Sequence, residues 1–422
     1  MTLDVAGPGI TDSAGPAGPR PVRVLHVLEA VRGGTSRHVS DVVRHATGVE
    51  HLVAVAEPGG DRGSGARYDH RAVDAMRRSG ARVVALPMHR TPWHPANGLA
   101  VARLRRLIAA EEPAVVHGHS SVGGALARLA GLGRSVPVVY TANGLAPGRP
   151  YVAAERALGR LTDRWVAVSA SEAETALRLG LNPPSQLVII PNGIDLAPPP
   201  PAGDLRARLG IEAGTPLVGT VARLVAQKAP GRFVRVAAQV ASRHGRAHFL
   251  LIGAGPLQAL VDEEVRRAGL GGRWHQIRHL DDAAAALGQL DAFVLASDFE
   301  GAPYTPLEAM RARTPVILSD VVGNRDAVRD GVSGFLRAPG DIAGMAEAVV
   351  RVLTDAGLRR DVTERAAERL ADSFDAAGMG RRLVRLYTEL ALDPSANRRS
   401  TRRLPQPLDS SSAHSPDSTA AQ

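Results

Sequence analysis

The chain has 422 residues, more than one hydrophobic core normally supports, so we expect two domains. It contains no cysteine, which excludes disulfides and cysteine-ligated metals and agrees with a cytoplasmic setting. The net charge of +9 is moderate for this length, and because no basic cluster is interleaved with aromatic residues, we expect no nucleic-acid partner.

The N-terminal segment, residues 1–20, is rich in Gly, Pro and Ala and lacks the basic-then-apolar order of a secretory signal, so we predict that it is disordered. Over residues 21–197, short apolar runs alternate with helical stretches, which is typical of parallel strands buried on both faces. This alternation predicts a doubly wound, Rossmann-like α/β domain. The predicted strands are Val22–Leu28, His51–Ala56, Arg82–Leu86, Ala114–His117, Val136–Thr141, Trp165–Val168 and Leu187–Ile190, and the predicted helices include Ser36–Ala46, Gly98–Ala110, Val122–Leu132 and Ser171–Leu179.

Four consecutive prolines interrupt this pattern and predict a semi-rigid linker at residues 198–203. The alternation resumes over residues 204–376 and predicts a second α/β domain, followed by a helix at residues 377–392. The tail, residues 393–422, has too little apolar content to fold, and we predict that it is disordered. The strands predicted in the second domain are Leu217–Val221, Ala247–Ile252, Arg273–Ile277, Ala292–Ala296 and Pro315–Leu318.

The chain has a single lysine, Lys228, among 51 basic residues. It follows the first predicted strand of the second domain, and Arg223 shortly precedes it. Lysine is a compact charge on a flexible stem, well suited to reach a phosphate oxygen. An isolated lysine is most often a solvated surface residue, so Lys228 becomes a candidate only together with its neighbours.

Further motifs accompany this pair along the second half of the chain. Gly253 and Gly255 form a glycine turn after an apolar strand and before a helix. Two carboxylates, Glu300 and Glu308, are separated by seven residues in Glu-Gly-Ala-Pro-Tyr-Thr-Pro-Leu-Glu. Pro191–Asp195, with the sequence Pro-Asn-Gly-Ile-Asp, lies where the first domain ends.

These motifs together resemble those of the retaining family-4 glycosyltransferases of the GT-B fold, over about residues 22–390. The resemblance implies two Rossmann-like domains facing across a cleft, with the acceptor side on the first domain, the nucleotide sugar on the second, and the last helix crossing back. It also implies transfer of a hexosyl or N-acetylhexosaminyl group from a nucleotide-diphosphate sugar to a saccharide or lipid-linked acceptor. Such a reaction belongs to cell-surface polysaccharide or glycolipid biosynthesis.

The resemblance also assigns roles to the second-domain motifs. Arg223 and Lys228 would hold the diphosphate, because fixed cations stabilise the charge that develops on a leaving group. Glu308 would accept hydrogen bonds from the ribose, and Glu300 would contact the donor sugar. The alternative is that both carboxylates only complement a helix N-terminus. The predicted donor-binding residues are Gly34, Arg223, Lys228, Gly253, Gly255, Glu300, Gly301, Ala302, Pro303, Tyr304, Thr305 and Glu308, and we place Pro306 at the first helical position.

In the first domain, the turn with Gly33 and Gly34 lets a ligand approach the backbone, either the donor phosphates or the acceptor, although a plain strand-to-helix turn explains it equally well. His117 and His119 end a strand, and we expect them to point to opposite faces. No carboxylate or cysteine spacing accompanies them, so we predict no metal ligands. The resemblance places His119 near the reacting sugar, which gives the predicted catalytic residues His119, Arg223, Lys228 and Glu300.

Asn143 departs from the family pattern, which usually has histidine at this acceptor-side position. Asparagine forms hydrogen bonds but does not titrate near neutrality. This substitution supports an alternative hypothesis, a catalytically silent sugar-nucleotide-binding or scaffold protein. An enzyme is favoured by the presence of four residues that match the family motifs, namely Arg223, Lys228, Glu300 and Glu308. No Asp-x-Asp pair occurs in the chain, so we expect metal-independent transfer without a cofactor other than the sugar nucleotide.

A basic helix is predicted around Arg103, Arg105 and Arg106. Its apolar residues are arranged to face its own sheet, and we favour a surface helix. The alternative is a basic face that contacts an anionic membrane, at the inner face of the plasma membrane.

Overall fold

The fold is described from a computed structural model of the chain, covering residues 21–58, 68–145, 148–198, 203–280 and 283–392. The segments predicted to be disordered, residues 1–20 and 393–422, lie outside these residues, as does most of the proline-rich linker. Within the described residues, no helix is both long and apolar enough to span a bilayer.

The first half of the chain forms a parallel sheet of seven strands in the order β3-β2-β1-β4-β5-β6-β7. Its strands are β1 Val22–Leu28, β2 Val49–Ala56, β3 Arg82–Leu86, β4 Val115–His119, β5 Val138–Thr141, β6 Arg164–Ala167 and β7 Leu187–Ile189. Its helices are α1 Gly33–His45, α2 His70–Arg78, α3 Pro95–Glu111, α4 Ser121–Gly131, α5 Arg149–Gly159 and α6 Ala170–Arg178.

The second half forms a parallel sheet of six strands in the order β10-β9-β8-β11-β12-β13. Its strands are β8 Leu217–Val221, β9 His248–Ile252, β10 Trp274–Ile277, β11 Ala292–Leu295, β12 Val316–Ser319 and β13 Phe335–Arg337. The helices are α7 Leu205–Arg208, α8 Pro230–Arg243, α9 Gln258–Arg267, α10 Ala283–Leu287, α11 Tyr304–Arg311, α12 Asn324–Ala327, α13 Ile342–Thr354, α14 Ala356–Ser373 and α15 Ala376–Leu392.

The strand predictions are largely confirmed, and β1, β3 and β8 have the predicted bounds. The prediction missed β13, whose three residues are too few to show a periodic pattern. It also ended β4 two residues early, at His117. The strand continues because β1 pairs with it as far as the partners Leu28 and His119.

The last helix, α15, packs against the first sheet although it follows the second domain in sequence. Its apolar residues join a buried cluster with β1, β4 and α1, and Tyr387 is fully buried there. Burial of this apolar face supplies the free energy that keeps the chain end on the first domain.

Two neighbouring chain segments cross between the halves and pair with each other. Ile194 forms an isolated parallel bridge with Asp375, through Ile194 N–H to Phe374 O at 2.8 Å and Ala376 N–H to Ile194 O at 3.0 Å. Gly193 lies so close to this second segment that a Cβ there would be 2.5 Å from Ala376 Cα. The two crossing segments therefore form one hinge, which has no room for a side chain at Gly193.

We expect Gly193→Ala to destabilise the protein, because the added methyl group must displace the backbone of the paired segment. Overpacking of this kind costs about 1–3 kcal/mol. Chemical denaturation of the variant measures the loss. The matched control is Gly245→Ala, an exposed loop position where a Cβ meets nothing within 4 Å, and we expect a change of no more than about 0.5 kcal/mol. Equal stabilities of the two variants would contradict the close packing at the hinge.

Candidate active site

The predicted site residues follow the carboxyl ends of central strands in both sheets. In the first sheet the strand order reverses between β1 and β4, and in the second between β8 and β11. Ligands of open α/β sheets bind outside the carboxyl ends of the strands at such reversal points. His119 ends β4, Arg223 and Lys228 follow β8, and Glu300 follows β11.

In the second domain, Lys228 and Glu300 form a direct ion pair. Lys228 Nζ lies 2.5 Å from Glu300 Oε1, and both side chains are largely buried. The loops that carry them are joined by hydrogen bonds from Asp298 N–H to Gln227 O, at 2.8 Å, and from Gln227 Nε2 to Phe299 O, at 3.0 Å. The structure thus brings together two residues that are 72 positions apart in sequence.

Arg223 lies beside this pair in an environment that is poor in negative charge. Burial and the neighbouring Arg90 of the first domain lower the pKa of Arg223, and Glu300 raises it. A guanidinium in such surroundings is stabilised by an anion that enters the cleft.

The glycine turn positions the loop that carries Arg223. A Cβ on Gly253 would lie 2.0 Å from Ala222 O, and one on Gly255 would lie 2.5 Å from Leu224 O. Leu224 N–H also donates to Ala254 O at 3.1 Å. These glycines therefore allow the backbones of the two loops to touch, and this contact holds the loop that carries Arg223 in place.

The predicted donor-binding segment, residues 300–308, leads into α11, which begins at Tyr304. The prediction that Pro306 occupies the first helical position was wrong, because it is the third residue of the helix. The position is still tolerated, since N–H groups of the first turn have no partner within the helix. Glu308 lies one turn further along, where its Oε1 is 3.4 Å from Nη1 of Arg37 in the first domain.

The first domain contacts this segment at several points. Gly301 meets Gly144 across the cleft, where a Cβ on Gly301 would be 2.6 Å from Gly144 Cα. Ser169 Oγ donates to Gly301 O at 3.0 Å. Gly33 and Gly34 begin α1, and a Cβ on Gly34 would be 3.9 Å from the Tyr304 ring. The same segment contains the remaining predicted positions, Ala302, Pro303 and Thr305. The contacts of the first domain with this segment close the cleft there.

A second set of contacts closes the cleft at the N-terminus of α6. Ser171 N–H donates to Asp326 Oδ1 at 3.1 Å, and the Ser171 hydroxyl donates to the same carboxylate. Gly323 N–H donates to Ser171 Oγ at 2.9 Å. Ser169 caps α6, accepting from Glu172 N–H at 3.1 Å. No local pattern indicates that α6 also binds the second domain, because Asp326 lies 155 positions away from Ser171.

Glu172 is buried immediately behind these contacts. Burial raises its pKa to about 7, whereas N–H donors from Val168 at 2.8 Å and Gly144 at 2.7 Å lower it, and the Asp326 carboxylate raises it. The native protein therefore keeps Glu172 neutral at a pH where this group is charged in the unfolded chain.

We expect the contribution of Glu172 to the free energy of unfolding to decrease as pH rises from 4.5 to about 7. The buried histidines, whose pKa values are lowered, contribute in the opposite direction over this range. The ordinary pKa of Glu172 is 4.5, so the stability from its neutral form is fully present below that pH and is lost as pH rises through about 7. Glu172→Gln should remove the Glu172 contribution, so that stability falls less or rises more with pH than in the wild type. Glu174→Gln, at an exposed position of the same helix, should keep the wild-type pH dependence. Melting temperatures over this pH range test it, and equal slopes in all three proteins would contradict the assignment.

The prediction that His117 and His119 point to opposite faces was wrong. Residues two apart in a strand share a face, and the two rings lie 4.0 Å apart between centroids. His117 is structural in its contacts, with Nδ1 2.7 Å from Tyr387 Oη and Nε2 2.8 Å from Thr141 Oγ1. His119 is fully buried, and its Nδ1 has no hydrogen-bond partner among the described residues.

His26 on β1 completes a group of three buried histidines with His117 and His119. Their ring nitrogens lie close enough together to hold a metal ion. In this structure, however, both nitrogens of His26 and both of His117 already have hydrogen-bond partners. A metal would have to break these bonds, so we interpret the group as a hydrogen-bonded cluster.

Asn143 has a left-handed backbone conformation, with φ of 56°. Asparagine adopts this conformation more readily than most residues. Its Nδ2 donates a long hydrogen bond to Thr141 O, at 3.5 Å. Asn143 therefore has a conformational role, because it forms the left-handed turn that brings Gly144 against Gly301.

Sequence reasoning missed several residues that the structure brings to the cleft, namely Arg37, His26, His38 and Asp326. Asn192 was part of the recognised hinge motif, but its contacts were not foreseen. Its Oδ1 is 2.9 Å from His38 Nδ1, and its Nδ2 donates to Ala302 O at 3.0 Å. Only a fold prediction that places α1 beside the hinge would have revealed these contacts.

Comparison with known families gives matches over most of the chain. The model described as Glycosyltransferase Family 4 matches residues 32–198, and that described as Glycosyl transferases group 1 matches residues 202–369. The alpha-maltose-1-phosphate synthase of Mycolicibacterium smegmatis is 30% identical over 303 residues, 63% of this chain and 76% of that protein. An Escherichia coli UDP-Gal:alpha-D-GlcNAc-diphosphoundecaprenol alpha-1,3-galactosyltransferase is 31% identical over 279 residues, 60% of this chain and 69% of that protein.

Solved structures show the same architecture. Anabaena Alr3699/HepE in complex with UDP and glucose superposes with a TM-score of 0.75 at 19% identity, covering 87% of this chain and all of that one. A sucrose-phosphate synthase from Thermosynechococcus elongatus gives a TM-score of 0.72 at 21% identity, covering 87% of this chain and 98% of that one. The predicted GT-B class is confirmed. The chain belongs to the family-4 glycosyltransferases and is a glycosyltransferase with two Rossmann-like domains facing across a cleft.

Proposed function

We propose that this enzyme transfers a sugar from a nucleotide-diphosphate sugar to a saccharide or lipid-linked acceptor, with retention of configuration and without a metal ion. The observation that carries the proposal is the pairing of Lys228 with Glu300 beside Arg223. A diphosphate gains charge as it leaves, and cations already fixed beside it stabilise that charge in the transition state. The Escherichia coli galactosyltransferase, whose name gives UDP-Gal as donor and a diphosphoundecaprenol-linked acceptor, supports this substrate class.

Metal independence is proposed from the residues that surround the diphosphate position. Two cationic side chains, Arg223 and Lys228, provide the charge that a divalent ion supplies in other transferases. In the ligand-free pair, Glu300 holds the ammonium in place. On donor binding, Lys228 would turn from Glu300 to the phosphate, which would leave the Glu300 carboxylate to accept hydrogen bonds from sugar hydroxyls.

Retention is proposed to occur by front-face attack. A double displacement needs a free carboxylate near the anomeric carbon. Of the two candidate carboxylates, Glu308 is paired with Arg37, and Glu300, once Lys228 turns to the phosphate, is assigned to the hydroxyls of the donor sugar. The leaving phosphate itself would then accept the proton of the attacking acceptor hydroxyl. A glycosyl–enzyme adduct trapped on Asp or Glu and seen by mass spectrometry would contradict this mechanism.

The test of the proposed function is a thermal-shift screen of the purified enzyme against UDP, GDP, ADP and their sugar conjugates, with EDTA present. A ligand at 100 times its dissociation constant stabilises the native state by about 2.7 kcal/mol. We expect one nucleotide series to raise the melting temperature, and its sugar conjugate to release free sugar slowly. Binding without sugar release would favour the silent sugar-nucleotide-binding alternative, and no shift with any nucleotide would contradict the proposal.

A peripheral membrane contact is a second proposal, based on the surface around α3. Trp93, just before this helix, is 86% exposed, and Leu99 is 47% exposed. Leu99, Arg103 and Arg106 lie on one face of the helix and are all exposed. Aromatic and basic side chains together favour the surface of an anionic bilayer. Co-sedimentation with phosphatidylglycerol vesicles should be weakened by Trp93→Ala and absent with neutral vesicles, and no sedimentation of the wild type would contradict the contact.

A further inference from the structure

Three buried histidines form a chain of hydrogen bonds behind the cleft. His119 Nε2 lies 3.0 Å from His26 Nδ1, and His26 Nε2 lies 3.1 Å from His51 Nδ1. The chain ends where His51 Nε2 lies 3.1 Å from the carbonyl oxygen of Ala46. None of the three side chains is more than 6% exposed.

The direction of every bond in this chain follows from its end. A carbonyl oxygen only accepts, so His51 must carry a proton on Nε2. In a neutral imidazole, His51 Nδ1 is then an acceptor, and His26 must donate to it from Nε2. By the same reasoning, His26 Nδ1 accepts and His119 donates from Nε2. His119 Nδ1 is left as a bare acceptor.

Neutral rings are the expected state of these histidines. Burial and the neighbouring histidines lower the pKa values of His26 and His119 well below their ordinary range. Burial also lowers the pKa of His51. A proton added to any of the three rings would create a buried imidazolium, and this chain of hydrogen bonds contains no carboxylate to stabilise its charge.

His38, whose ring centroid is 5.4 Å from that of His119, has its tautomer fixed in the same way. Asn192 Nδ2 donates to Ala302 O, so Asn192 Oδ1 faces His38 Nδ1 and accepts a hydrogen bond from its N–H. His38 Nε2 is therefore a second bare acceptor, buried and without a partner among the described residues. Two such acceptors suit hydroxyl groups, which donate hydrogen bonds, and disfavour phosphate oxygens, which do not.

We propose that His26 and His51 are positioning residues, which hold His119 in the Nε2–H tautomer so that its Nδ1 accepts a hydrogen bond from a hydroxyl group of a bound sugar. The assignment of the hydroxyl to a sugar rests on the proposed function. The tautomer of His119 is independent of the proposed function, because it follows from hydrogen bonds within the protein. His119 would touch the substrate, whereas His26 and His51 act through it.

The test is long-range ¹H–¹⁵N NMR of the full chain labelled with ¹⁵N-histidine, with the His119 signals identified from His119→Asn. A nitrogen that bears a proton and one that does not differ widely in ¹⁵N chemical shift. We expect His119 of the wild type to show an unprotonated Nδ1 and a protonated Nε2. A protonated Nδ1, or two protonated nitrogens, would overturn the proposal, as would a shift of all three rings on addition of Zn²⁺.

Variants of His51 test whether the tautomer is set from a distance. His51→Leu offers no acceptor to His26, so we expect His119 to populate both tautomers. We also expect the rate of sugar release from the donor to fall about tenfold, which corresponds to the loss of one hydrogen bond. His51→Asn keeps an acceptor oxygen facing His26 and should restore both the single His119 tautomer and the rate of sugar release. The matched control is His275→Asn, which breaks the 2.9 Å contact between His248 and His275 in the second domain and should leave the His119 signals unchanged. If the nucleotide screen fails while the His119 tautomer is as stated, the proposed function is wrong and the tautomer assignment stands.

Discussion

Lys228→Ala is expected to reduce kcat/KM for glycosyl transfer by about 10²–10³-fold, the typical effect of removing one preorganised group that stabilises transition-state charge. The reason is specific to this cleft. The lone ammonium pairs with Glu300 at 2.5 Å and lies beside Arg223, so its removal leaves one cation for the diphosphate and an unpaired carboxylate that is only 5% exposed. Steady-state kinetics with the donor identified in the nucleotide screen measures the change.

Lys228→Arg separates charge from shape at the same position. A guanidinium keeps the positive charge but presents a planar fork in place of a compact ammonium. We expect activity between those of the wild type and Lys228→Ala, with the nucleotide still raising the melting temperature. The control is Arg385→Ala, an exposed residue of α15 that lies outside the site. Transfer by Lys228→Ala at the wild-type rate would contradict the assignment of the diphosphate position.

Glu155→Ala is expected to lower the free energy of unfolding by about 3–5 kcal/mol, because it leaves a buried guanidinium without its partner. Arg128 Nη1 lies 2.9 Å from Glu155 Oε2, and Arg128 is fully buried. Tyr140 Oη donates to Glu155 Oε1 at 3.2 Å, and the guanidinium lies 3.9 Å from the centre of the Tyr140 ring. Urea denaturation followed by circular dichroism measures the loss.

Two controls distinguish a buried pair from ion pairs in general. Glu389→Ala breaks an exposed i,i+4 pair with Arg385 on α15 and should cost no more than about 0.5 kcal/mol. The double variant Arg128→Met with Glu155→Leu removes both charges and should recover much of the lost stability. A cost below about 1 kcal/mol for Glu155→Ala would show that water or another group satisfies Arg128.

The sequence predicted the fold well because parallel strands buried on both faces leave a strong local signal. The bounds of β1, β3 and β8 could be read from apolar runs alone. The very short strand β13 leaves no such signal, and the end of β4 is decided by pairing with β1 rather than by local composition. The wrong orientation of His117 and His119 came from misapplying the period of two, which places alternate residues on the same face.

The sequence by itself determined the chemical types that this protein offers to a ligand. A lone lysine after a strand, two carboxylates at a fixed spacing and a hinge motif are local patterns, and the family match agrees with them. Local patterns specify which groups follow which strand, because strand and helix periods are short-range properties of the chain.

Only the tertiary structure decided which groups touch. The bonds of Ser171 with Asp326, of Arg37 with Glu308 and of His26 with His119 each join residues at least 93 positions apart. Contacts at such separation depend on how distant strands pair within a sheet and how two domains close. A single sequence contains no periodic signal of these events, and the burial that shifts the pKa of Glu172 to about 7 appears only once they have occurred.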